Sequence, residues 1–490
     1  MSYNSDDDAL FEIADDDEPA VKVPAGRSKV FRRYDRDQSF LMPPSIDDWL
    51  PENHTARFVA EVVDEMLDLS VVYDSYVSAS GAPPYDPSMM LKLLLYAYST
   101  GVTSSREMER RCHIDVAFRW LSVNSAPDYR SIARFRRRHL VAVDDLFIQV
   151  LVLCSEAGLV KLGRVALDGT KLRASASRHK AMSYGRLGPR IEQLQAEVAE
   201  ILADAEATDL AEDEEFGEDK RGDEVPPELA SRESRLVKLR AAKEAIEAEA
   251  ADRAAAKAAE RAEKNGADEA GIAEAVATAA AGATPVDRAQ RSFTDPEARM
   301  MKTNDGFHYA YNAQAVVDEY SQVVVAAKVT DQAGDVQQLI PMIAAATDSL
   351  ADAGIDAAPD MFLADAGYCS EDNLEELADT GIDAVVATGR VRRNERVPDT
   401  PRGPIPKDAT RRERMARRLR TKAGRADYAR RKAIVEPVFG QMKVRQHAGH
   451  LRLRGITGAQ GEWTLHTICH NLRKLANAAD VANRVPAEAT

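Results

Sequence analysis

Between residues 40 and 158 the apolar positions recur at helical spacing. Phe58, Val59, Val62, Val63, Met66 and Leu67 form one such set. Met89, Met90, Leu91, Leu93, Leu94 and Leu95 form the next, behind a proline, Pro87, suited to a helix start. A segment from Ser104 to Arg111 leads past His113 to Val116, Phe118, Trp120 and Leu121. Asp128 then caps a helix carrying Arg130, Arg134, Arg136, Arg137 and Arg138. The pattern predicts an all-helical domain over 40–158. Its short helices and arginine face suggest a helix-turn-helix-like DNA-binding unit, with Arg134 and Arg137 as candidate DNA contacts. A solvated arginine face on a plain helical bundle is the competing reading.

The period then changes. Val165-Ala-Leu167 is a short apolar run closed by Asp168 and reads as a strand. Residues 188–289 turn rich in Ala, Glu, Lys and Arg, with breakers at Gly217, Gly222, Pro226 and Pro227, and predict an inserted helical or coiled-coil arm. Beyond it, Tyr309 to Val317 and Gln322 to Val329 are β-rich runs joined by Asp318-Glu-Tyr-Ser321, a hairpin signal. A helix from Asp335 to Leu350, a strand from Met361 to Asp365, a helix from Glu371 to Leu377 and a strand from Ile382 to Ala387 follow. An antiparallel hairpin thus shares a sheet with βαβ crossovers, an α/β mixed sheet. The predicted division is an acidic tail (1–39), the helical domain (40–158), a core in two pieces (159–187 and 290–477) split by the arm (188–289), and a tail (478–490).

Charge sharpens this division. The chain of 490 residues has a formal net charge of −15, which excludes a uniformly basic nucleic-acid binder but not a basic surface patch. Residues 390–445 hold 19 Lys and Arg against six Asp and Glu, a local net of +13, and a phosphate backbone is the usual partner of such an inversion. Cys112, Cys154, Cys369 and Cys469 lie far apart, so neither a disulfide scaffold nor a cysteine zinc site is expected. No apolar run is long enough to span a membrane and the acidic amino terminus has no secretory character, so the expected place is the cytoplasm.

Three acids carry the candidate chemistry. Asp168 and Asp365 close apolar strands, and Glu436 lies in the basic region. Carboxylates converging at a sheet edge can hold divalent metal through oxygen, and two such ions can activate an attacking oxygen and stabilise a leaving one. The bland alternative for each Asp is a turn or cap residue. Gly367 follows Asp365 where the backbone must turn sharply or approach something closely. Lys432, Glu436 and Lys443 have the spacing of one helix face, whereas Pro437 puts Glu436 near a helix start. His466 and His470, four apart without the H-E-x-x-H pattern, read as packing residues beside Trp463.

At these residues the chain resembles the DDE transposases of bacterial insertion sequences, from about Phe40 to about Asn477. Asp168 in Leu-Asp-Gly-Thr-Lys resembles the family's first acid, Asp365 in Ala-Asp-Ala-Gly-Tyr the second, and Glu436 in Ile-Val-Glu-Pro-Val-Phe-Gly the third. Glu436 and Lys443 keep the E-x6-K part of the Y-x2-R-x3-E-x6-K signature. Tyr428 and Arg431 keep Y-x2-R, one residue too far from the glutamate, while Lys432 has the x3 spacing, so the basic partner is Arg431 or Lys432. The resemblance implies a ribonuclease-H-like core behind an amino-terminal helical domain, two Mg²⁺ or Mn²⁺ ions on the three acids, and DNA contacts at Lys443, Arg431, Lys432 and Tyr428. It implies cleavage at the element's terminal inverted repeats and strand transfer into target DNA by a nucleoid-associated homodimer in a synaptic complex. The other readings are a metal-dependent nuclease without strand transfer and a non-catalytic DNA-binding relict.

Overall fold

Side-chain caps fix where the amino-terminal helices begin. After α1 (Ile46–Trp49), His54 Nδ1 accepts from the Ala56 amide at the start of α2 (Thr55–Glu61), which runs on into a π turn over Val62–Met66. A short α3 (Ser70–Asp74) precedes α4 (Pro87–Ser99), where Asp86 accepts from the Met89 amide and Pro87 occupies the first turn, whose N–H needs no helical partner. Asp115 caps α6 (Val116–Leu121) behind α5 (Ser105–Ile114), and Asp128 caps α7 (Tyr129–Arg138), which leads to α8 (Leu140–Glu156). The computed structural model describes residues 45–76, 83–176, 181–216, 227–389 and 403–484, with side chains for all of these except 201–216, 227–230 and 480–484. The acidic tail read over 1–39 and the breakers Gly217, Gly222 and Pro226 lie outside the described residues.

The mixed sheet is organised around β1 (Arg164–Arg173). With β2 (Ala181–Ser183) and β3 (Gln290–Ser292) forming a separate ribbon, the main sheet takes in β4 (Arg299–Thr303), β5 (Gly306–Asp318), β6 (Val324–Thr330), β7 (Met361–Ala364) and β8 (Ala384–Val386). β1 pairs antiparallel with β5 and parallel with β7, and β7 pairs parallel with β8. β4 and β6 lie end to end along the other side of β5. The hairpin at Asp318–Ser321 forms; β4 has no counterpart in the sequence reading. Its short run, Arg-Met-Met-Lys-Thr, lacks the β-branched signal and is recruited by pairing to β5.

Crossover helices α12 (Leu339–Asp352) and α13 (Glu371–Thr380) follow β6 and β7, and α13 ends at Gly381 in the left-handed conformation, φ 72°. The described part of the basic region holds α14 (Arg411–Arg420), started by a capping box between Thr410 and Glu413, and α15 (Lys422–Arg445). Last comes α16 (Gly455–Arg484), so helix replaces the tail expected from residue 478 as far as Arg484. It covers the open edge of β6. Gln460 pairs its amide with the Val329 N–H and Ala327 carbonyl, and Asn471 does the same with both backbone groups of Val324. Trp463, buried on α16, donates to the Gln314 carbonyl.

The described residues from Trp49 onward form one compact unit. One apolar core runs from Leu50 through the sheet to Leu472, so the amino-terminal helices and the sheet are packed together. Tyr98 on α4 donates to Glu462 on α16, and Arg136 on α7 donates to Tyr98 and to the Thr103 carbonyl, all of them buried.

Between β2 and β3 rise α9 (Tyr184–Phe216), α10 (Pro227–Lys264) and α11 (Glu269–Ala281). No described strand in this segment joins the main sheet. Leu187, Ile191, Leu194, Leu236, Leu239 and Ile246 give it a small core of its own. Glu249 on α10 ties it down, meeting Arg291 on β3 and Arg299 on β4, the latter at 2.7 Å.

Candidate active site

Asp168 and Asp365 stand at equivalent points on neighbouring parallel strands. β1 and β7 pair from Arg164↔Met361 to Ala166↔Leu363, and continuing that register sets Asp168 opposite Asp365. β7 stops at Ala364, whereas β1 runs on to Arg173 because β5 pairs with it throughout. Asp168 is therefore inside its strand, a correction to the reading that it closes one; a partner distant in sequence sets the length of β1. Asp365 caps a 3₁₀ turn over Ala366–Tyr368, accepting from the Gly367 amide at 2.7 Å. Thus the cap role weighed for such an acid is present here.

The third acid, Glu436, stands on α15, and its link to Asp168 runs through Arg431. Asp168 Oδ2 accepts from Arg431 at 2.8 Å, and Arg431 lies 4.0 Å from a Glu436 carboxylate oxygen. Arg431, with the Y-x2-R spacing, is buried over the Tyr428 ring at 5.9 Å, while Lys432 is exposed. Tyr428 is partly buried against the core. Lys443 donates to Thr170, which shares with Asp168 the β1 face covered by α15. Burial lowers the Lys443 pKa, opposed by the charge of Asp168. Burial raises that of Asp168, opposed chiefly by Arg431. Among the described residues no three His, Cys, Asp or Glu side chains are grouped to hold an ion. Arg431 lies between Asp168 and Glu436. The donors at the edge are carboxylate oxygens, the hard ligands suited to Mg²⁺ or Mn²⁺.

Glu436 lies inside α15 and not near its start. Pro437 lacks an N–H and leaves the Ala433 carbonyl without its helical donor. The Gln322 amide supplies that donor at 3.0 Å, from the hairpin turn 111 residues away. Helix continuity puts Lys432 and Glu436 one turn apart and Lys443 about two turns further on.

Arg134 and Arg137 are exposed on α7, and Arg136 between them is buried. His466 and His470 are buried in the core, His466 edge-on to Tyr98 and His470 against the Gln322 carbonyl. In the basic region Arg390, Arg392, Arg393, Arg396 and Arg402 lie outside the described residues. Arg418 pairs with Asp383, Arg430 with Glu319, and Arg414 binds backbone carbonyls of residues 406, 407 and 409, so part of the +13 charge is committed to the fold.

A polar cluster beside the acids escaped the sequence reading. Asp335 Oδ1 accepts from Lys171 at 3.1 Å, Asn312 at 2.7 Å and Gln314 at 3.0 Å, and Tyr368 donates to Gln314. The available signal was Asn312 and Gln314 on one face of an otherwise apolar strand, since two buried amides require partners.

Residues 44–138 match the Transposase domain (DUF772), and residues 283–472 match the Transposase DDE domain. Asp365, Tyr428, Arg431, Glu436 and Lys443 fall inside the second match; Asp168 falls between the two. No curated protein and no solved structure matches the chain. Two transposase domains in this order define a transposase. More narrowly, the chain belongs to the insertion-sequence DDE transposases. No described helix is long and apolar enough to cross a membrane.

Proposed function

We propose that this transposase cuts the ends of an insertion sequence and joins the freed ends to target DNA, on a ribonuclease-H-like core. The observation that carries the reading is the single sheet edge shared by Asp168 and Asp365, faced by Arg431, Glu436 and Lys443 of α15. In cleavage, a water oxygen attacks the phosphorus as the 3′-oxygen leaves. In strand transfer, that 3′-hydroxyl attacks a target phosphate and displaces its bridging oxygen.

Asp168, Asp365 and Glu436 would hold Mg²⁺ or Mn²⁺, two ions where both steps follow the family pattern. Bound ions supply Lewis acidity to the phosphate and acidify the attacking water. The chain's own groups prepare the edge. Arg431 orients Asp168 and favours its ionised form against burial. Lys443 offers a point charge to a phosphate beside Thr170, with Lys432 and Tyr428 along the same helix and Arg134 and Arg137 as outlying DNA contacts. Two copies would pair the two ends.

Labelled end DNA with Mg²⁺ or Mn²⁺ tests this: nicked ends and joined products are expected. Cleavage without joining would favour the nuclease reading, and binding without cleavage the relict.

A further inference from the structure

Two glycines follow the two sheet-edge acids, and one carboxylate stands behind both. Gly169 follows Asp168 directly, and a Cβ there would lie 3.0 Å from Asp335 Oδ1 and 2.4 Å from the Gln314 amide nitrogen. Gly367 lies two residues after Asp365, and a Cβ there would lie 3.4 Å from Asp335 Oδ2 and 2.9 Å from Asp365 Oδ1. The two oxygens of Asp335 thus face the backbone next to each acid. Alternation along β1 puts Gly169 and Lys171 on the face away from α15, so this contact comes from the side opposite Arg431 and Lys443.

We propose that Asp335 is a positioning residue: wedged between Gly169 and Gly367, it fixes the separation of Asp168 and Asp365 and so the affinity of the site for its metal. The inference rests on the proposed reading of those two as metal acids. Three features carry it. Lys171, Asn312 and Gln314 all donate to one oxygen, Oδ1, so the carboxylate has little freedom to turn. The holders come from β1 and β5, the rigid middle of the sheet, so the wedge takes its place from the strand that bears Asp168. Tyr368, in the motif of Asp365, is buried and donates to Gln314, which ties the second acid's turn to the same cluster. A group that orients metal acids from behind typically alters metal affinity about 10–100-fold when changed.

The test compares Mn²⁺ binding, followed by the paramagnetic resonance of free Mn²⁺, with the metal dependence of end-DNA cleavage. The full-length proteins are wild type, Asp335→Asn and Asp168→Asn. Asp335→Asn keeps the wedge's shape and loses its charge against Lys171. A rise of about tenfold in the Mn²⁺ dissociation constant, mirrored in half-saturating Mn²⁺ for cleavage, with end-DNA affinity retained, is expected. Should Asp335→Asn not fold, Lys171→Met removes a holder instead and carries the same expectation. An unchanged Mn²⁺ constant with cleavage lowered only in proportion to folded protein makes Asp335 merely structural and overturns the inference. If wild type fails to bind Mn²⁺, or if its binding survives Asp168→Asn unchanged, the metal-acid reading itself fails, whatever Asp335 does.

Discussion

Helices α7 and α15 both carry runs of arginine, and each buries one. Arg136 and Arg431 are about equally hidden, 7% and 6% exposed, yet they meet different surroundings. Arg136 binds Tyr98 and the Thr103 carbonyl, with the charge of the buried Glu462 close by. Glu462 in turn accepts two backbone amides, Arg452 and Leu453. Tyr98, Thr103 and Glu462 are all buried. Arg431 meets Asp168, whose side chain is 20% exposed, and Glu436, which is 55% exposed. Burial of an arginine therefore does not by itself separate a clasp from a candidate site; the exposure of its acids does. An acid left open to solvent can receive a ligand, and an acid with all its bonds inside the fold cannot.

The strongest test of this contrast removes the acids on each side. Asp168→Asn, Asp365→Asn and Glu436→Gln are each expected to abolish cleavage of end DNA with DNA binding largely kept, because they remove metal-holding charge and not phosphate-holding charge. Near wild-type cleavage by any of them in Mg²⁺ would remove that residue from the site. Glu462→Gln should act on stability instead.

Stability divides the arginines next. Arg136→Met leaves the Glu462 charge without its cation in the core and is expected to cost about 3–5 kcal/mol in urea unfolding. Arg431→Met should cost less than half of that, since water can reach Asp168, while ending cleavage. The reverse order of stabilities would break the comparison.

What the sequence made legible was local. Asp86 with Pro87, and Asp128, mark helix starts through bonds to amides two or three residues on, and the turn at Asp318–Ser321 lies between two apolar runs. What it hid was set at a distance. The extension of β1 past Asp168 depends on β5, and the passage of α15 through Pro437 depends on Gln322. Arg136 looks like its exposed neighbours until Tyr98 and Glu462 arrive from α4 and α16. Asp335, after Gly334, has the look of a turn residue, and only folding brings Lys171, Asn312 and Gln314 onto it.

Lys443 gives a smaller effect of a different kind. Lys443→Ala should weaken end DNA and random DNA alike and lower the slope of log K against log[salt] by about one unit, because a phosphate contact carries no sequence information. Burial lowers the lysine's pKa, so its charge fades at lower pH than that of a free lysine. The slope of wild type should therefore fall as pH rises through that lowered value, while Lys443→Arg holds it. An unchanged slope in Lys443→Ala on both DNAs would end the phosphate role and leave the bond to Thr170 as its function.

The smallest effect concerns the helix that carries Arg431, Glu436 and Lys443. Pro437 frees the Ala433 carbonyl and Gln322 answers it at 3.0 Å, while the other end of the same amide accepts from Lys474 at 3.0 Å. Gln322 holds φ at 61°, a left-handed conformation that favours glycine. Gln322→Ala loses both hydrogen bonds and keeps the backbone cost, so a loss of about 1 kcal/mol is expected. Gln322→Gly loses the same bonds but relieves the backbone, and should fall between Ala and wild type. Neither change touches a charge on α15, so the salt slope on DNA should stay at the wild-type value in both. If Gln322→Ala instead lowers the slope or shifts the Mn²⁺ dependence of cleavage, the bond at Ala433 sets where Glu436 and Lys443 stand, and α15 cannot be treated as a rigid carrier of them.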